Sequence, residues 1–315
     1  METANTQTRD QLIASIQELK WQKNAVILAH YYQEADVQDI ADVLGDSLAL
    51  AQAAKRSNAD VILFCGVHFM AETAKIVNPG KTVLLPDLDA GCSLAASCDA
   101  RDLAAWKKEH PEHKIISYIN CSAEVKALSD IICTSSNAAK VVASFPKDTP
   151  LLFAPDKHLG SWLVEKLGRK MELWPGACHV HEAFRAETIL DLKLAHPSAT
   201  FICHPECSES VRFHAEYVGS TSNLLQFVHD DPRQTFIVGT EVGILHQMQK
   251  ANPSKTFIAA PGTDAGCNCS ICPYMKLNTL EKIYAALRDM KPEIVMDADL
   301  LKKAALSLNR MLELS

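Results

Sequence analysis

Residues able to do chemistry recur at fixed offsets along this chain. His30 and Tyr32 close the apolar run NAVILAHYY, Tyr118 and Asn120 close KIISYIN, and His204 and Glu206 close ATFICHPE. Imidazole, phenol, amide and carboxylate groups at such strand ends can hold oxyanions and move protons. A hydroxyl follows 17 residues after the first member of each pair, at Ser47, Ser135 and Thr221. Each precedes a helical-period segment (LALAQAAKR, NAAKVVASF, NLLQFV) and reads as a helix N-cap. A helix start also offers free N–H groups to phosphate or carboxylate. Taken singly, each hydroxyl is an ordinary cap, each histidine a structural one, and Glu206 a cap for a helix beginning at Ser208. Their shared register favours one composite site.

Cysteines form the second set. The chain has 11. Cys65 in DVILFCG, Cys133 in DIICTSS and Cys203 in TFICHP lie in apolar runs and read as small buried hydrophobes. Cys92 in DAGC, Cys178 in PGAC and one of Cys267, Cys269 or Cys272 in DAGCNCSIC recur at matching places. Three thiolates suit a soft metal centre with an open coordination position, where a Lewis acid can act. An iron-sulfur cube held by three cysteines leaves one iron free. Zinc is the alternative, with His179 and His181 of GACHVH as further ligands. The pair Cys269 and Cys272 also has the spacing of a redox C-x-x-C, although it closes a unit instead of opening one.

These residues need a scaffold that repeats. Short apolar runs alternate with helical-period segments throughout, which predicts an α/β fold with parallel strands covered on both faces. The three strand-end pairs stand 88 and then 86 residues apart, and the runs DVILFCG, PLLFAPD and TFIVGTE follow in step. KTVLLPDLDAGC, KMELWPGAC and KTFIAAPGTDAGC close the three copies. The expected architecture is three similar αβα domains around a pseudo-threefold axis: 1–110 with an N-terminal helix, 111–195 and 196–285, with 286–315 as C-terminal helices packing back on the body. Parallel sheets bind ligands beyond their carboxyl ends, where all six paired residues fall.

Composition narrows the partners. Of 315 residues 48% are hydrophobic and 22% charged, with 31 basic against 38 acidic side chains and no basic block. Neither a nucleic-acid nor an anionic-membrane surface is suggested, and small molecules are the expected partners. No apolar run of membrane-spanning length occurs and the N-terminus lacks a signal-peptide core, so a cytoplasmic, reducing location is expected.

With these residues in place, the chain resembles the quinolinate synthase family. The resemblance rests on AHYYQ, GDSLALA, FCGVHFMAETAKIVNP, DAGCSLA, SYINCSAEVKA, CTSSNA, FAPDKHLG, HPEC, VGSTSN and CPYMKLNTLEKIY, spread over nearly the whole length. It implies three αβα domains about a 4Fe-4S cluster, and condensation of iminoaspartate with dihydroxyacetone phosphate to quinolinate, phosphate and water. It further implies Cys92, Cys178 and Cys272 as cluster ligands. His30, Ser47, Tyr118, Asn120, Ser135 and Thr221 would bind substrate, with Tyr32, His204 and Glu206 as acid and base groups. Related sequences can carry C-x-x-C-x-x-C before PYM, whereas this chain has C-x-C-x-x-C. An L-aspartate oxidase is the candidate source of iminoaspartate. The competing readings are a zinc-dependent lyase or hydrolase and a non-enzymatic phosphometabolite-binding protein.

Overall fold

The computed structural model describes residues 8–262 and 270–315. Three four-stranded sheets hold the apolar runs. The first contains β1 (Ala25–His30), β2 (Val43–Gly45), β3 (Val61–Cys65) and β4 (Thr82–Leu84). The second contains β5 (Lys114–Tyr118), β6 (Ile131–Cys133), β7 (Leu151–Ala154) and β8 (Glu172–Leu173). In the third lie β9 (Thr200–Cys203), β10 (Tyr217–Val218), β11 (Thr235–Gly239) and β12 (Thr256–Ala259). The strand orders are β2-β1-β3-β4, β6-β5-β7-β8 and β10-β9-β11-β12, so one topology occurs three times. Every pairing is parallel. The fold is therefore α/β with three similar domains.

Strand burial explains the sequence pattern. Residues Ile62, Leu63, Leu152, Phe153, Ile202 and Ile237 are all essentially inaccessible, because helices cover both sheet faces. Each third strand buries a phenylalanine, Phe64, Phe153 or Phe236, worth roughly 1.5–3 kcal/mol apiece. Cys65, Cys133 and Cys203 are fully buried free thiols in these cores, as expected of apolar-run cysteines. All described cysteines are unpaired.

The helix starts differ from the sequence expectation in one respect. Helix Ser47–Arg56 is capped by Asp46, whose Oδ1 accepts Ala49 N–H at 2.9 Å, and helix Thr221–Asp230 by Ser220, whose Oγ accepts Asn223 N–H at 3.3 Å. In the second domain Asn137 holds the N-cap position of helix Ala138–Ala143, without a side-chain capping hydrogen bond. Ser47, Ser135 and Thr221 are thus not N-caps; Ser47 and Thr221 are first helical residues. In the first and third domains the earlier residue, Asp46 or Ser220, has the extended backbone a cap needs, which releases the following hydroxyl from capping; in the second, Ser135 lies two residues ahead of the cap position.

The C-terminal segments tie the domains together. Helix Leu280–Asp289 packs with helix Arg9–Gln22 on the first sheet, joining Leu12, Ile16, Leu63, Ile283 and Leu287 in one apolar cluster. Helix Ala298–Glu313 lies against helices His68–Val77 and Ala123–Leu128 and against β6. Along that seam Ser307 Oγ donates to Lys126 O at 2.7 Å. No helix among the described residues is long and apolar enough to cross a membrane.

Candidate active site

One cavity collects the strand ends of all three sheets. It is lined by His30, Tyr32 and Ser47 from the first domain, Tyr118, Asn120 and Ser135 from the second, and His204, Glu206 and Thr221 from the third. Cys92, Cys178 and Cys272 line it as well, so all twelve residues singled out in the sequence meet there. The register accounts for the convergence. His30 pairs with Gly45 and Tyr118 with Cys133, which sets each first-strand end two residues from the next helix-start hydroxyl.

The two histidines are held identically. Tyr32 N–H donates to His30 Nδ1 at 3.2 Å, and Glu206 N–H donates to His204 Nδ1 at 3.4 Å. An accepting Nδ1 leaves the neutral ring its proton on Nε2, and His204 Nε2 faces Ser135 Oγ at 3.2 Å. Burial lowers His30 to about 4 and His204 to about 3, so both rings are neutral donors near pH 7.

The other acid-base groups interlock. Tyr118 O–H donates to Glu206 Oε1 at 2.6 Å, and His181 Nδ1 lies 3.2 Å from Glu206 Oε2, off the line of a good hydrogen bond. Burial by itself would raise the Glu206 pKa; His181 and His204, which attract the carboxylate whenever they carry a proton, and the Tyr118 hydrogen bond outweigh it and lower the pKa. Tyr32 Oη contacts Thr240 Oγ1 at 2.6 Å and Thr221 Oγ1 at 3.3 Å. Burial pushes both tyrosines upward, Tyr118 further with Glu206 beside it, so both hydroxyls keep their protons. Asn120 Oδ1 is buried without a hydrogen-bond partner among the described residues, an acceptor facing the same space.

Each cysteine follows the last strand of its sheet and opens a helical turn. Cys92 precedes helix Ser93–Ala96, Cys178 precedes His179–Glu182, and Cys272 stands before the 3-10 turn Met275–Leu277. The backbone N–H groups of Ala95, His181 and Met275, three residues on in every case, point at the sulfurs. Burial nonetheless raises all three thiols, Cys92 to about 12 and Cys178 well beyond its usual range. A cation among them would reverse that balance, since coordination deprotonates thiols. The sulfurs also feel one another, Cys92 with Cys272 and Cys178 with Cys92. Three soft donors, one from each sheet, are a set that fits an iron-sulfur centre. Cys267 and Cys269 lie outside the described residues.

A mixed donor set overlaps with this one. Ligand atoms of Cys178, His181 and Glu206 lie within 4.8 Å of one another. His179, by contrast, turns to Ser93 Oγ at 2.7 Å and joins the two cysteine turns.

Sequence reasoning overlooked Asp46, Thr240 and Glu241, which border the site. Asp46 was legible as the residue before the first of the three hydroxyls, Ser47, and Glu241 as an acid two residues beyond β11.

Fold and cavity define a class: a three-domain α/β protein with a site assembled at the meeting of three equivalent sheet ends. A sequence model of the family described as quinolinate synthetase A protein matches residues 14–313. Similar proteins named quinolinate synthase occur in Thermosynechococcus vestitus, 59% identical over 96% of this chain and 95% of its own, and in a Nostoc species, 59% identical over 96% and 94%. One from Prochlorococcus marinus is 56% identical over 98% and 92%. The chain belongs to the quinolinate synthetase A family, and it is an enzyme of NAD biosynthesis.

Proposed function

We propose that this chain condenses iminoaspartate with dihydroxyacetone phosphate to quinolinate, releasing phosphate and water, with a 4Fe-4S cluster held by Cys92, Cys178 and Cys272. The observation that carries the reading is one cavity receiving a cysteine, a pair of polar strand-end residues and a hydroxyl at or just before a helix start from each of three domains. When bound, the cluster would supply a Lewis acid through the iron that no cysteine ligates.

Protein groups would do the remainder. Ser47, Ser135 and Thr221 hold phosphate and carboxylate oxygens beside helix starts, where N–H dipoles favour anions. His30, and His204 beside Ser135, donate from neutral imidazoles, Asn120 and Tyr118 orient the substrates, and the buried walls exclude water. Glu206 is the base that removes a proton from the carbon next to the imine. Tyr32, protonated across the working pH range, is the acid that donates to a departing or developing oxygen. Iminoaspartate would come from an L-aspartate oxidase in the same cytoplasm.

A mixing experiment under argon tests this: purified protein, iminoaspartate and dihydroxyacetone phosphate, with quinolinate and phosphate measured over one turnover. Glu206→Gln should keep the visible absorption of an iron-sulfur protein and lose quinolinate formation by roughly a hundredfold or more. Substantial turnover in that variant would remove Glu206 from the chemistry. The second reading, a zinc site at Cys178, His181 and Glu206, has the 4.8 Å grouping in its favour. A colourless, zinc-containing protein from anaerobic cells would select it.

A further inference from the structure

Glu241 and Lys276 form a buried ion pair beside the cavity, with Lys276 Nζ 3.0 Å from Glu241 Oε1. The carboxylate is 1% exposed and the lysine side chain 17%. Pairing charges away from water gains little over apolar side chains of similar size, so stability alone does not account for it. Its other bonds do. Glu241 Oε1 accepts the backbone N–H of Cys272 at 3.1 Å, and Oε2 accepts Gly243 N–H at 2.7 Å. Lys276 Nζ also donates to Tyr32 O at 2.7 Å, while Thr240, the residue before Glu241, holds the Tyr32 hydroxyl. The turn fits closely: a Cβ added at Gly243 would stand 2.8 Å from Tyr32 Cα, from its carbonyl carbon and from Glu241 Oε2.

We propose that Glu241 and Lys276 are positioning residues for the reaction: one buried pair fixes the backbone of Cys272, the third thiol corner, and the pose of Tyr32. Neither needs to touch substrate. The pair couples the backbone of first-domain Tyr32 to that of Cys272, far away in the chain, so displacing either partner disturbs both. The inference rests on the reading of Cys272 as a metal ligand. Groups that orient ligands typically change metal affinity or activity by about ten- to a hundredfold when removed.

The test uses the full chain, reconstituted anaerobically, with iron and sulfide content, iron loss to a chelator, kcat and KM measured together. Lys276→Met is expected to release iron about tenfold faster or more and to lose kcat by a similar factor. Its KM for dihydroxyacetone phosphate should stay within about twofold, because Ser47, Ser135 and Thr221 are left unchanged. Glu241→Gln keeps an oxygen for the Cys272 N–H and should fall between wild type and Lys276→Met. Gly243→Ala presses on Tyr32 without removing charge and should lower kcat more than it alters iron release. Lys276→Met and Glu241→Gln with wild-type circular dichroism, and with iron release and kcat within about twofold of wild type, would overturn the proposal. If Lys276→Met does not fold, Glu241→Gln decides. Wild-type protein that takes up no iron instead overturns the cluster reading, and with it the Cys272 half of this inference.

Discussion

His30 and His204 keep their rings neutral because the cavity denies an imidazolium its water. Their pKa values, about 4 and about 3 against an ordinary 6.5, carry a consequence for stability. Below pH 6.5 the unfolded chain takes up protons that the native rings refuse, so protonation favours unfolding as pH falls. The contribution is fully present above 6.5 and is lost between there and the native pKa values. For His30 it amounts to on the order of 3 kcal/mol. Urea midpoints measured from pH 7.5 to 4 should therefore decline, and His204→Asn should decline less steeply. Parallel curves for wild type and variant would show that His204 does not titrate as a buried group. At this scale the sequence was informative about residue type and silent about protonation, since burial comes from neighbours distant in the chain.

At the scale of elements, the repeated unit is a parallel strand that ends in a polar pair, and a final strand that runs into a cysteine at a helical turn. Internal alignment of the two Asp-Ala-Gly-Cys segments makes Cys267 the counterpart of Cys92. The structure brings Cys272 to the cavity, with Tyr274 and Met275 N–H groups directed at its sulfur. Cys272→Ala is thus expected to lose most of its iron and its colour, and Cys267→Ala to keep both; iron assays on anaerobically purified variants decide, and the reverse result would restore the repeat's choice. Helix starts show how far local pattern reaches. A hydroxyl ahead of an apolar period announced each helix within a few residues, yet Asp46 and Ser220 perform the capping. Adjacent polar residues compete for that role, and only backbone geometry separates them.

Across the whole molecule, three helix starts close on Asp46. Its Oδ2 accepts Ser136 Oγ at 2.7 Å from the second domain and Ser222 Oγ at 2.7 Å from the third, while Ser136 also reaches Ser220 Oγ at 2.9 Å. One carboxylate therefore joins all three domains behind the hydroxyls that face the cavity. Asp46→Ala would take the shared acceptor from Ala49 N–H, Ser136 Oγ and Ser222 Oγ, which are only partly shielded from water, at a cost of about 1–2 kcal/mol. Denaturant unfolding should show that loss, with the KM for dihydroxyacetone phosphate rising because Ser47, Ser135 and Thr221 lose their common frame. An unchanged midpoint would mean that the domains are held by their apolar seams alone.

Apolar periodicity and a repeat of strand, turn and helix determined the α/β class and three equivalent units, because period and spacing are properties of the chain itself. The same repeat selected His30, Tyr118 and His204 and the residues two positions beyond each. Tertiary structure decided which faces meet. Asp46, Thr240 and Glu241 have places in the repeat, but its pattern does not mark them as site residues; their importance arises from contacts with residues such as Ser222, Tyr32 and Cys272. Charge pairing across domains depends on distance in space, and the linear chain does not encode that distance at any single position.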